Sequence, residues 1–377
     1  MLDFVLVGQS ARIALPLLQS LHSAKLGACA LAGSQGTAGL RWSRLCREQV
    51  VINFADDDET VQRLNLLARR NPRAVLVPYD CEGMRLVIRL KTRLTLESVP
   101  LPDLQSLNMF DDKWRFYEFC RDSGLPVPAT RLMASPADLD FASIASELGL
   151  PFIMKPSNAS GSLGVRIVRS RAQFDAEIVG NPDYAFGSLI AQQFIDGVDM
   201  DINLLCIQGQ LQAVSVHKPG AALIEFMPHA GLEDIAAELG RLSGYTGLMN
   251  VDVRIEQSSG RAYLIESNPR FWATLASTAY CGLNFAEEFV RPSEAGGEPK
   301  RLLAGRYWSR HPLLRPSCWG ALLGDGSPKG RLLRAQAFDL YALGQLVAQV
   351  PAMMTRRLRR ALSSEKSARL TRAKSKP

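Results

Sequence analysis

Apolar residues in the first hundred positions form short runs, and polar stretches with helical spacing separate them. Runs of this kind predict strands, and the amphipathic stretches between them predict helices. The predicted elements are strands at 2–7, 27–32, 50–54 and 74–77 and helices at 11–22 and 58–70. Their alternation indicates an α/β lobe with a parallel sheet covered by helices. The first turn, GQSA, lacks G-x-G-x-x-G spacing and so does not indicate a dinucleotide site.

The pattern changes after residue 95. Residues 96–110 contain two prolines and predict a linker, and the stretch DDKWRFYEFCRDSG predicts a helix capped by Asp111 or Asp112 and stopped by Gly124. Further elements are predicted as strands at 152–155, 165–168, 189–194, 202–207 and 211–216 and as helices at 233–243 and 285–290. We expect three parts, at 1–105, 106–290 and 291–377.

Composition narrows the class of protein. The chain has 377 residues, of which 47% are hydrophobic and 21% charged, as in ordinary soluble globular proteins. Its seven cysteines are scattered without a C-x-x-C pair, and its four histidines have no metal-ligand spacing. This usage argues against a disulfide framework and a zinc site and predicts a reducing, cytoplasmic setting.

The positive charge is concentrated at one end. The net charge is +7, but residues 351–377 hold nine Lys and Arg and one Glu, so the remainder is close to neutral. The sequence therefore does not predict a nucleic-acid-binding surface. The tail follows the apolar stretch ALGQLVAQVPAMM, and two hypotheses fit it: a basic amphipathic helix in weak contact with an anionic membrane, or a solvated tail, which we favour.

Candidate chemistry is densest between residues 250 and 279. Asp252 and Glu266 each lie in a strand-like run, and the turn QSSGR between the runs predicts a hairpin that places them side by side. Glu266, Asn268 and Arg270 occupy alternate positions, so they share one face. Carboxylate and amide oxygens suit Mg²⁺, and arginine binds phosphate oxygens. The alternative is a solvated hairpin whose polar face meets water.

Two further segments could contact a phosphorylated ligand. In FIMKPSNASGSLGVRIV, Lys155 ends a buried strand and a loop of small residues with Gly161 and Gly164 follows, which lets backbone N–H groups approach phosphates. In LIAQQFIDGVDMDINLL, a strand edge could bind adenine through its backbone while Asp199 holds ribose hydroxyls. An ordinary Gly/Ser hairpin and an exposed strand end are the competing interpretations.

The order of these pieces resembles the ATP-grasp superfamily, and the similarity is greatest to its carboxylate–amine ligases and to the synthetase halves of carbamoyl-phosphate synthase. It covers residues 1–290, and the ESNPR signature with Asp252 upstream is its most specific part. The resemblance implies an ATP-grasp fold of two α+β lobes preceded by a Rossmann-like pre-ATP-grasp domain. It implies ATP and Mg²⁺ as cofactors, with Mn²⁺ as the alternative ion.

The resemblance also implies roles for individual residues. Lys155 and Arg270 would offset the charge of the transferring phosphoryl group. The predicted ATP-binding residues are Lys113, Lys155, Ser160, Gly161, Ser162, Gly164, Gln192, Gln193, Ile195 and Asp199, and the predicted metal ligands are Asp252, Glu266 and Asn268. Ser160, Gly161, Ser162 and Gly164 would form a mobile lid, in the loop 157–164, over the phosphates. Gln192 stands where relatives often have a glutamate that meets the adenine amino group, so the resemblance leaves the choice of nucleotide open. Ser162-Leu163 stands where many relatives have more glycine or a basic residue, so it leaves the behaviour of the lid open as well.

The resemblance implies a carboxylate–amine ligase that forms an amide through an acyl phosphate. Its substrates would be a small-molecule carboxylate and an amine, and a homodimer is the default expectation for its assembly. Carboxylation through carboxyphosphate, phosphorylation without ligation, and a nucleotide-binding regulatory protein without catalysis are the alternatives. Two segments near the site are ambiguous. Trp272 fits a substrate pocket or the core equally well, and His217-Lys218 fits a surface position better than a catalytic one.

Overall fold

The computed structural model describes residues 2–159, 161, 163–184, 186–292 and 297–348. Three sheets occur in these ranges: a parallel N-terminal sheet, a seven-stranded central sheet and a small antiparallel sheet. Ser160 and Ser162 of the predicted lid, and the basic tail from 351 to 377, lie outside the described residues. None of the helices described is both long and apolar enough to cross a membrane.

The N-terminal sheet is parallel, as the strand–helix alternation predicted, with its strands in the order β3-β2-β1-β4. Its elements are β1 Phe4–Gly8, α1 Ala11–Ser23, β2 Cys29–Gly33, β3 Cys46–Val51, α2 Asp57–Arg70, β4 Val75–Pro78 and α3 Cys81–Leu90. The predicted position of the third strand, 50–54, was wrong. The strand begins four residues earlier because it lies at the sheet edge, where polar residues of CREQVV stay partly exposed.

The predicted linker was also wrong in part, because a helix forms inside it. This helix, α4, spans Leu104–Asp111, and Asp103 caps it by accepting a hydrogen bond from the N–H of Ser106. Leu107 and Phe110 lie three positions apart and are fully buried. The next helix, α5, spans Lys113–Asp122, with Asp112 as its N-cap.

The central sheet has the strand order β13-β12-β9-β10-β11-β15, with β14 beside β10. Its strands are β9 Gly197–Ile207, β10 Gln210–Lys218, β11 Leu223–Phe226, β12 Gly247–Glu256, β13 Ala262–Asn268, β14 Lys300–Leu302 and β15 Gly305–Trp308. The tight turn between β9 and β10 holds Gln208 and Gly209 at positive φ, 48° and 78°. Such turns match the twist of the strands they join.

The small sheet has the order β5-β8-β6-β7 and is antiparallel throughout. Its strands are β5 Thr130–Met133, β6 Phe152–Pro156, β7 Arg166–Val168 and β8 Leu189–Gln193. Helices α6 Phe141–Leu148 and α7 Arg171–Phe174 cover one side. A cluster of aromatic rings (Phe141, Phe152 and Phe174) fills the space between helices and sheet. The opposite side of the sheet is free to line a cavity.

The remaining helices pack on the central sheet, on helix α1 of the N-terminal lobe or on one another. They are α8 Ala230–Ser243, α9 Leu275–Cys281, α10 Phe285–Val290, α11 Trp319–Gly324 and α12 Pro328–Phe338, with residues 340–348 also helical. Short 3-10 turns occur at Gln35–Trp42, Lys91–Arg93, Pro136–Asp138, Pro312–Leu314 and Pro316–Cys318. Helix α12 packs against α1, and Arg331 donates to the carbonyl of Ser23 at 2.7 Å. The described part of the C-terminal extension therefore packs on the N-terminal lobe.

Candidate functional site

Two rows of polar side chains cross the central sheet side by side. The first, the charged row, joins neighbouring strands in register and consists of His217, Asp201, Asp252 and Glu266. The second, the amide row, lies two residues away on each strand and consists of Ser215, Asn203, Asn250 and Asn268. Residues i and i+2 of a strand point to the same face, so both rows face the same side. The predicted pairing of Asp252 with Glu266 is confirmed.

Two lysines reach Glu266 from outside the central sheet. Nζ of Lys113, the first residue of α5, is 3.4 Å from Oε2 of Glu266. Nζ of Lys155, on β6 of the small sheet, is 3.8 Å from the same oxygen, and its side chain is 4% exposed. Glu266 is therefore the point at which a helix, the small sheet and the central sheet meet. The structure brings these three predicted site residues together.

Burial shifts the pKa of two groups at this site, Lys155 and Asp252. It lowers the pKa of Lys155 to about 8, although the neighbouring Glu266 acts in the opposite direction. Burial raises the pKa of Asp252 well above its usual range, and the carboxylates of Glu266 and Asp201 raise it further. Loss of solvent and repulsion between carboxylates thus both disfavour negative charge here. A cation against this face would relieve both effects.

The amide row forms a chain of hydrogen bonds that runs in one direction from Arg270. The guanidinium Nη2 donates to Oδ1 of Asn268 at 2.9 Å, and Nδ2 of Asn268 donates to Oδ1 of Asn250 at 3.4 Å. Nδ2 of Asn250 donates to Oδ1 of Asn203, and Nδ2 of Asn203 donates to the hydroxyl of Ser215, both at 3.1 Å. Because a guanidinium has no acceptor, every amide in the chain turns its oxygen toward Arg270.

His217 is buried, so the surface position predicted for His217-Lys218 was wrong for the histidine, whereas Lys218 is exposed. The residue is 1% exposed because β11 pairs beside it and the ring of Phe226 packs 5.1 Å from its own ring. Its Nε2 lies 3.1 Å from Oδ2 of Asp201, and its Nδ1 lies 3.4 Å from Nδ2 of Asn203. With the Asn203 amide as donor, Nδ1 is the acceptor and Nε2 carries the proton toward Asp201. His217 thus links the charged row to the amide row.

A cavity of about 550 Å³, called the main cavity below, lies between the central sheet and the small sheet. Lys113, Lys155, Asp252 and Glu266 line its charged part, and Ile153, Ile167 and Ile265 are among its apolar lining. The cavity is large enough for a ligand of nucleotide size. Its lining thus combines charged side chains, which can bind phosphates, with apolar side chains, which can contact a base.

The four residues predicted to hold the nucleoside all line the main cavity: Gln192, Gln193, Ile195 and Asp199. An unpredicted residue, Arg254, connects two of them. Its Nη1 binds Oδ1 of Asp199 at 2.5 Å, and its Nε donates to the carbonyl of Ile195 at 2.5 Å. The Ile195 carbonyl is therefore already engaged, and its N–H is the group left for a ligand.

The loop that contains Gly161 and Gly164 contacts Lys113 through Ala159. Nζ of Lys113 donates to the carbonyl of Ala159 at 2.5 Å, which ties α5 to the loop. Gly161 and Gly164 have φ of 68° and 74°, a region that glycine adopts without strain. At Gly164 a Cβ would also lie 2.7 Å from the ring of Phe186. The loop conformation thus requires glycine at this position on two grounds.

A second cavity of about 260 Å³, the side cavity, adjoins the first through Lys113 and Ala159. Arg270 and Asn268 line it, together with acids of the N-terminal lobe and of α4. Asp80 accepts backbone N–H bonds from Gln9, Ser10 and Gly83, and Arg85 binds Asp111 at 2.5 Å. These acids already have partners. Trp272 does not line the side cavity but packs edge-on against Phe285 in the core.

Sequence reasoning missed Asp201, Asn203, Asn250 and Arg254. A signal for them was present, since Asp199, Asp201 and Asn203 alternate along β9, as do Asn250, Asp252 and Arg254 along β12. Within the described ranges no group of three or more His, Cys, Asp or Glu side chains is arranged to hold a metal ion. The predicted ligand set has only two acids, and the oxygen of its third member, Asn268, accepts a bond from Arg270.

Family profiles match the part of the chain that carries these residues. A profile described as an ATP-grasp domain matches residues 110–227, and one described as ATP-grasp in the biosynthetic pathway with Ter operon matches residues 185–303. The chain belongs to the ATP-grasp superfamily. This ATP-grasp protein resembles the carbamoyl phosphate synthase large chain of Deinococcus radiodurans, with 28% identity over 234 residues, which are 55% of this chain and 22% of that one.

It also resembles the D-alanine–D-alanine ligase of Laribacter hongkongensis, with 30% identity over 177 residues, which are 42% of this chain and 55% of the ligase. The ATP-grasp chain therefore spans about a fifth of the synthase and about half of the ligase.

Solved structures share the ATP-grasp fold. An L-amino acid ligase from Bacillus licheniformis superposes with a TM-score of 0.58 at 15% identity, covering 78% of this chain and 76% of that one. The N5-carboxyaminoimidazole synthetase of Staphylococcus aureus complexed with ADP gives a TM-score of 0.64 at 12% identity, covering 85% and 87%. At such identities the likeness shows the fold alone, and it agrees with the mixed α/β, ATP-grasp part of the predicted fold.

Proposed function

We propose that this ATP-grasp protein is an ATP-dependent carboxylate–amine ligase that forms an amide through an acyl phosphate and releases ADP and phosphate. One observation carries the proposal: two lysines from separate elements converge on Glu266 inside the main cavity, and Arg270 faces an adjoining side cavity. The first cavity fits a nucleotide, and the second adjoins the place where its phosphates would end.

The donor set fits Mg²⁺. Asp252 and Glu266 lie directly opposite each other, and the raised pKa of Asp252 reflects carboxylates crowded in a dry environment. Carboxylate and amide oxygens are the ligands this ion prefers, and the Asn268 oxygen keeps a second lone pair beside its bond from Arg270, so Asp252, Glu266 and Asn268 would hold the ion. Mg²⁺ bound there would offset charge on phosphate oxygens and keep them in place.

Lys113 and Lys155 would bind the phosphates. Both ammonium groups lie near Glu266, and the phosphates of a nucleotide would give them stronger anionic partners. The backbone of the loop around Gly161 and Gly164 would cover the phosphates and exclude water. Exclusion of water matters because an acyl phosphate is readily hydrolysed.

The side cavity would hold the carboxylate substrate. Arg270 donates only to neutral acceptors in the described part of the chain, Asn268 Oδ1 and the Phe271 carbonyl, so it is a cation with spare binding capacity. By contrast, Asp80 and Asp111 are already bonded. An anionic substrate group beside Arg270 would be stabilised by about 1.5–3 kcal/mol per charge-assisted hydrogen bond.

The proposed reaction has two steps. A carboxylate oxygen attacks the γ-phosphorus of ATP, the bond to the β,γ-bridging oxygen breaks, and ADP leaves. An amine then attacks the acyl carbon, the C–O bond to phosphate breaks, and the nitrogen loses a proton to form the amide. Lys155 and Arg270 offset the charge of the transferring group, and positioning supplies most of the catalysis.

The test is release of ADP and phosphate from Mg·ATP across pools of amino acids and small carboxylates, followed by mass spectrometry. Release that depends on the pool, with a product mass equal to two components minus water, would establish ligation. Release with bicarbonate and one acceptor, with a mass gain of CO₂, would instead establish carboxylation. Hydroxylamine should trap the acyl phosphate as a hydroxamate, and absence of any release in all pools would contradict the ligase proposal.

The organisation of the whole chain is also part of the proposal. We assign residues 1–105 as the Rossmann-like pre-ATP-grasp domain, 106–290 as the ATP-grasp domain and 291–377 as the extension, supported by the parallel sheet and by the cavity between the other two sheets. Light scattering tests the predicted homodimer. Liposome co-sedimentation with and without residues 351–377 tests membrane contact, and equal sedimentation of both forms would dismiss it.

A further inference from the structure

Gln192 is a buried side chain in the lining of the main cavity. Its residue type alone does not define whether it donates or accepts a hydrogen bond there. Gln192, on β8, is 2% exposed and lines the cavity. A glutamine amide can present either an oxygen that accepts or an NH₂ that donates. Presented one way it would suit a base with an amino group, and presented the other way it would suit a base with a carbonyl group.

Thr130 decides between the two orientations. It lies directly opposite Gln192 in the pairing of β5 with β8. Its hydroxyl donates its one proton to the carbonyl of Pro128 at 2.9 Å, so the Thr130 oxygen is left as an acceptor. Nε2 of Gln192 donates to that oxygen, also at 2.9 Å. The amide nitrogen therefore points to Thr130.

Turning the amide over would break this arrangement. The Gln192 oxygen would then face Thr130 and require its proton, and the carbonyl of Pro128, a buried residue, would lose the bond from that hydroxyl. A buried carbonyl without a partner is costly. The hydrogen bonds of Thr130 thus favour one orientation of the Gln192 amide, and they identify which of its two terminal atoms is the nitrogen and which the oxygen.

In that orientation Oε1 of Gln192 is buried and has no hydrogen-bond partner among the described residues. A buried acceptor in a ligand cavity is satisfied when the ligand supplies a donor. The apolar side chains of Ile153 and Ile195 line the same cavity and suit a planar ring. The amide oxygen and this apolar surface together favour a base with an exocyclic amino group.

We propose that Thr130 is a specificity-determining residue: by orienting the Gln192 amide, it makes the main cavity select a purine with a 6-amino group and reject a purine with a 6-oxo group. The inference rests on the proposed binding of a nucleotide in this cavity, and it does not depend on which carboxylate or amine is ligated. A 6-oxo purine would place its own acceptor against Oε1 of Gln192, which leaves both oxygens unpaired.

The test compares Mg·ATP with Mg·ITP, which differ at position 6 and at the N1 proton, by calorimetric titration without other substrates. The wild-type protein should bind ATP at least tenfold more tightly than ITP, since about 1.4 kcal/mol corresponds to a factor of ten. Thr130→Val removes the hydroxyl and frees the amide to turn, so the preference should fall to within about threefold. Thr130→Ser keeps the hydroxyl and should keep the wild-type preference.

A rescue variant separates orientation from damage to the fold. A carboxylate has no N–H to present, so Gln192→Glu in the Thr130→Val background should restore the preference for ATP. If Thr130→Val does not fold, Gln192→Met removes the same acceptor and should lower the ATP-to-ITP ratio to a similar extent. Retention of the wild-type ratio in Thr130→Val or in Gln192→Met would overturn the proposal.

The outcome is distinguishable from failure of the ligase assignment. Selective ATP binding without ADP release in any substrate pool would support Thr130 and contradict ligation. Equal binding of ATP and ITP by the wild-type protein, together with ligation, would overturn the role of Thr130 and leave the ligase standing. No binding of either nucleotide would overturn both.

Discussion

The two sheets that enclose the main cavity contribute different chemistry. The central sheet presents the charged row and the amide row, all from alternate strand positions. The small sheet presents apolar residues such as Ile153 and Ile167, and its polar contribution to the cavity lining includes Lys155, Gln192 and Gln193. Polar site residues on strands therefore recur at alternate positions in the sequence, whereas the apolar residues that line a ligand cavity have the same pattern as those of any sheet core.

The largest effect should follow from a change in the charged row. Glu266→Gln removes the carboxylate shared by Lys113 and Lys155, and ADP release should fall by about 10³-fold or more, because charge stabilisation in a dry site is large. Glu256→Gln is the matched control, since Glu256 ends β12 outside the main cavity, where Ser259 donates to it. Circular dichroism should be unchanged in both, and wild-type turnover in Glu266→Gln would sink the site assignment.

The amide row should matter less but still clearly. Asn250→Leu breaks the chain that holds Asn268 and leaves the Asn203 oxygen unpaired, so ADP release at saturating substrate should fall by about 10–100-fold. Asn65→Leu removes an amide in the N-terminal lobe and should leave turnover unaffected. A wild-type rate in Asn250→Leu would show that Asn268 keeps its orientation without the row.

A substitution of Lys155, on the small sheet, should lower activity and raise stability. Its pKa falls from the usual 10.5 to about 8 because burial disfavours the ammonium. Lys155→Met should abolish ADP release yet stabilise the ligand-free protein by about 1–3 kcal/mol, measured as a higher Tm in the presence of EDTA.

The same shift predicts a pH dependence. Between pH 8 and 10.5 the unfolded chain still binds the Lys155 proton and the folded protein does not, so the free energy of unfolding gains a contribution that rises with pH. Lys155→Met should lack that rise. A parallel dependence of Tm on pH in both proteins would contradict the depressed pKa.

The smallest effect concerns how α5 is held. Asp112 caps this helix by accepting from the N–H groups of Trp114 and Arg115, and Lys113 is its first residue. Asp112→Ala should cost about 1 kcal/mol of stability, seen in urea unfolding, whereas Asp112→Ser keeps a cap and should cost a few tenths. Equal losses in both would show that the cap does not stabilise α5.

The parts that could be predicted from sequence are those governed by local pattern. The β12–β13 hairpin follows from two apolar runs and a Gly-containing turn, and its register then follows from strand alternation. The parallel N-terminal sheet follows from the order of strands and helices. In each case neighbouring residues carry the information.

The predictions from sequence were wrong or incomplete where contacts with distant parts of the chain determine the local structure. Prolines suggested a linker at 96–110, but Leu107 and Phe110 are buried by packing against other elements, which stabilises α4. His217 looked exposed because no local feature shows that Phe226 and Asp201 cover it. Thr130 lies 62 positions from Gln192, so its effect on that amide is visible only in the fold.

The one-directional amide row constrains how this protein can change. Because Arg270 only donates, a substitution at one rung that reverses its donor or acceptor also disturbs the rung beyond it. A single replacement at Asn250 or at Asn203 should therefore be harmful, whereas a compensating pair of replacements should be tolerated. The effects of the two replacements on activity should then not be additive. Across descendants of this sequence, the rungs should be inherited and replaced as a set rather than one at a time.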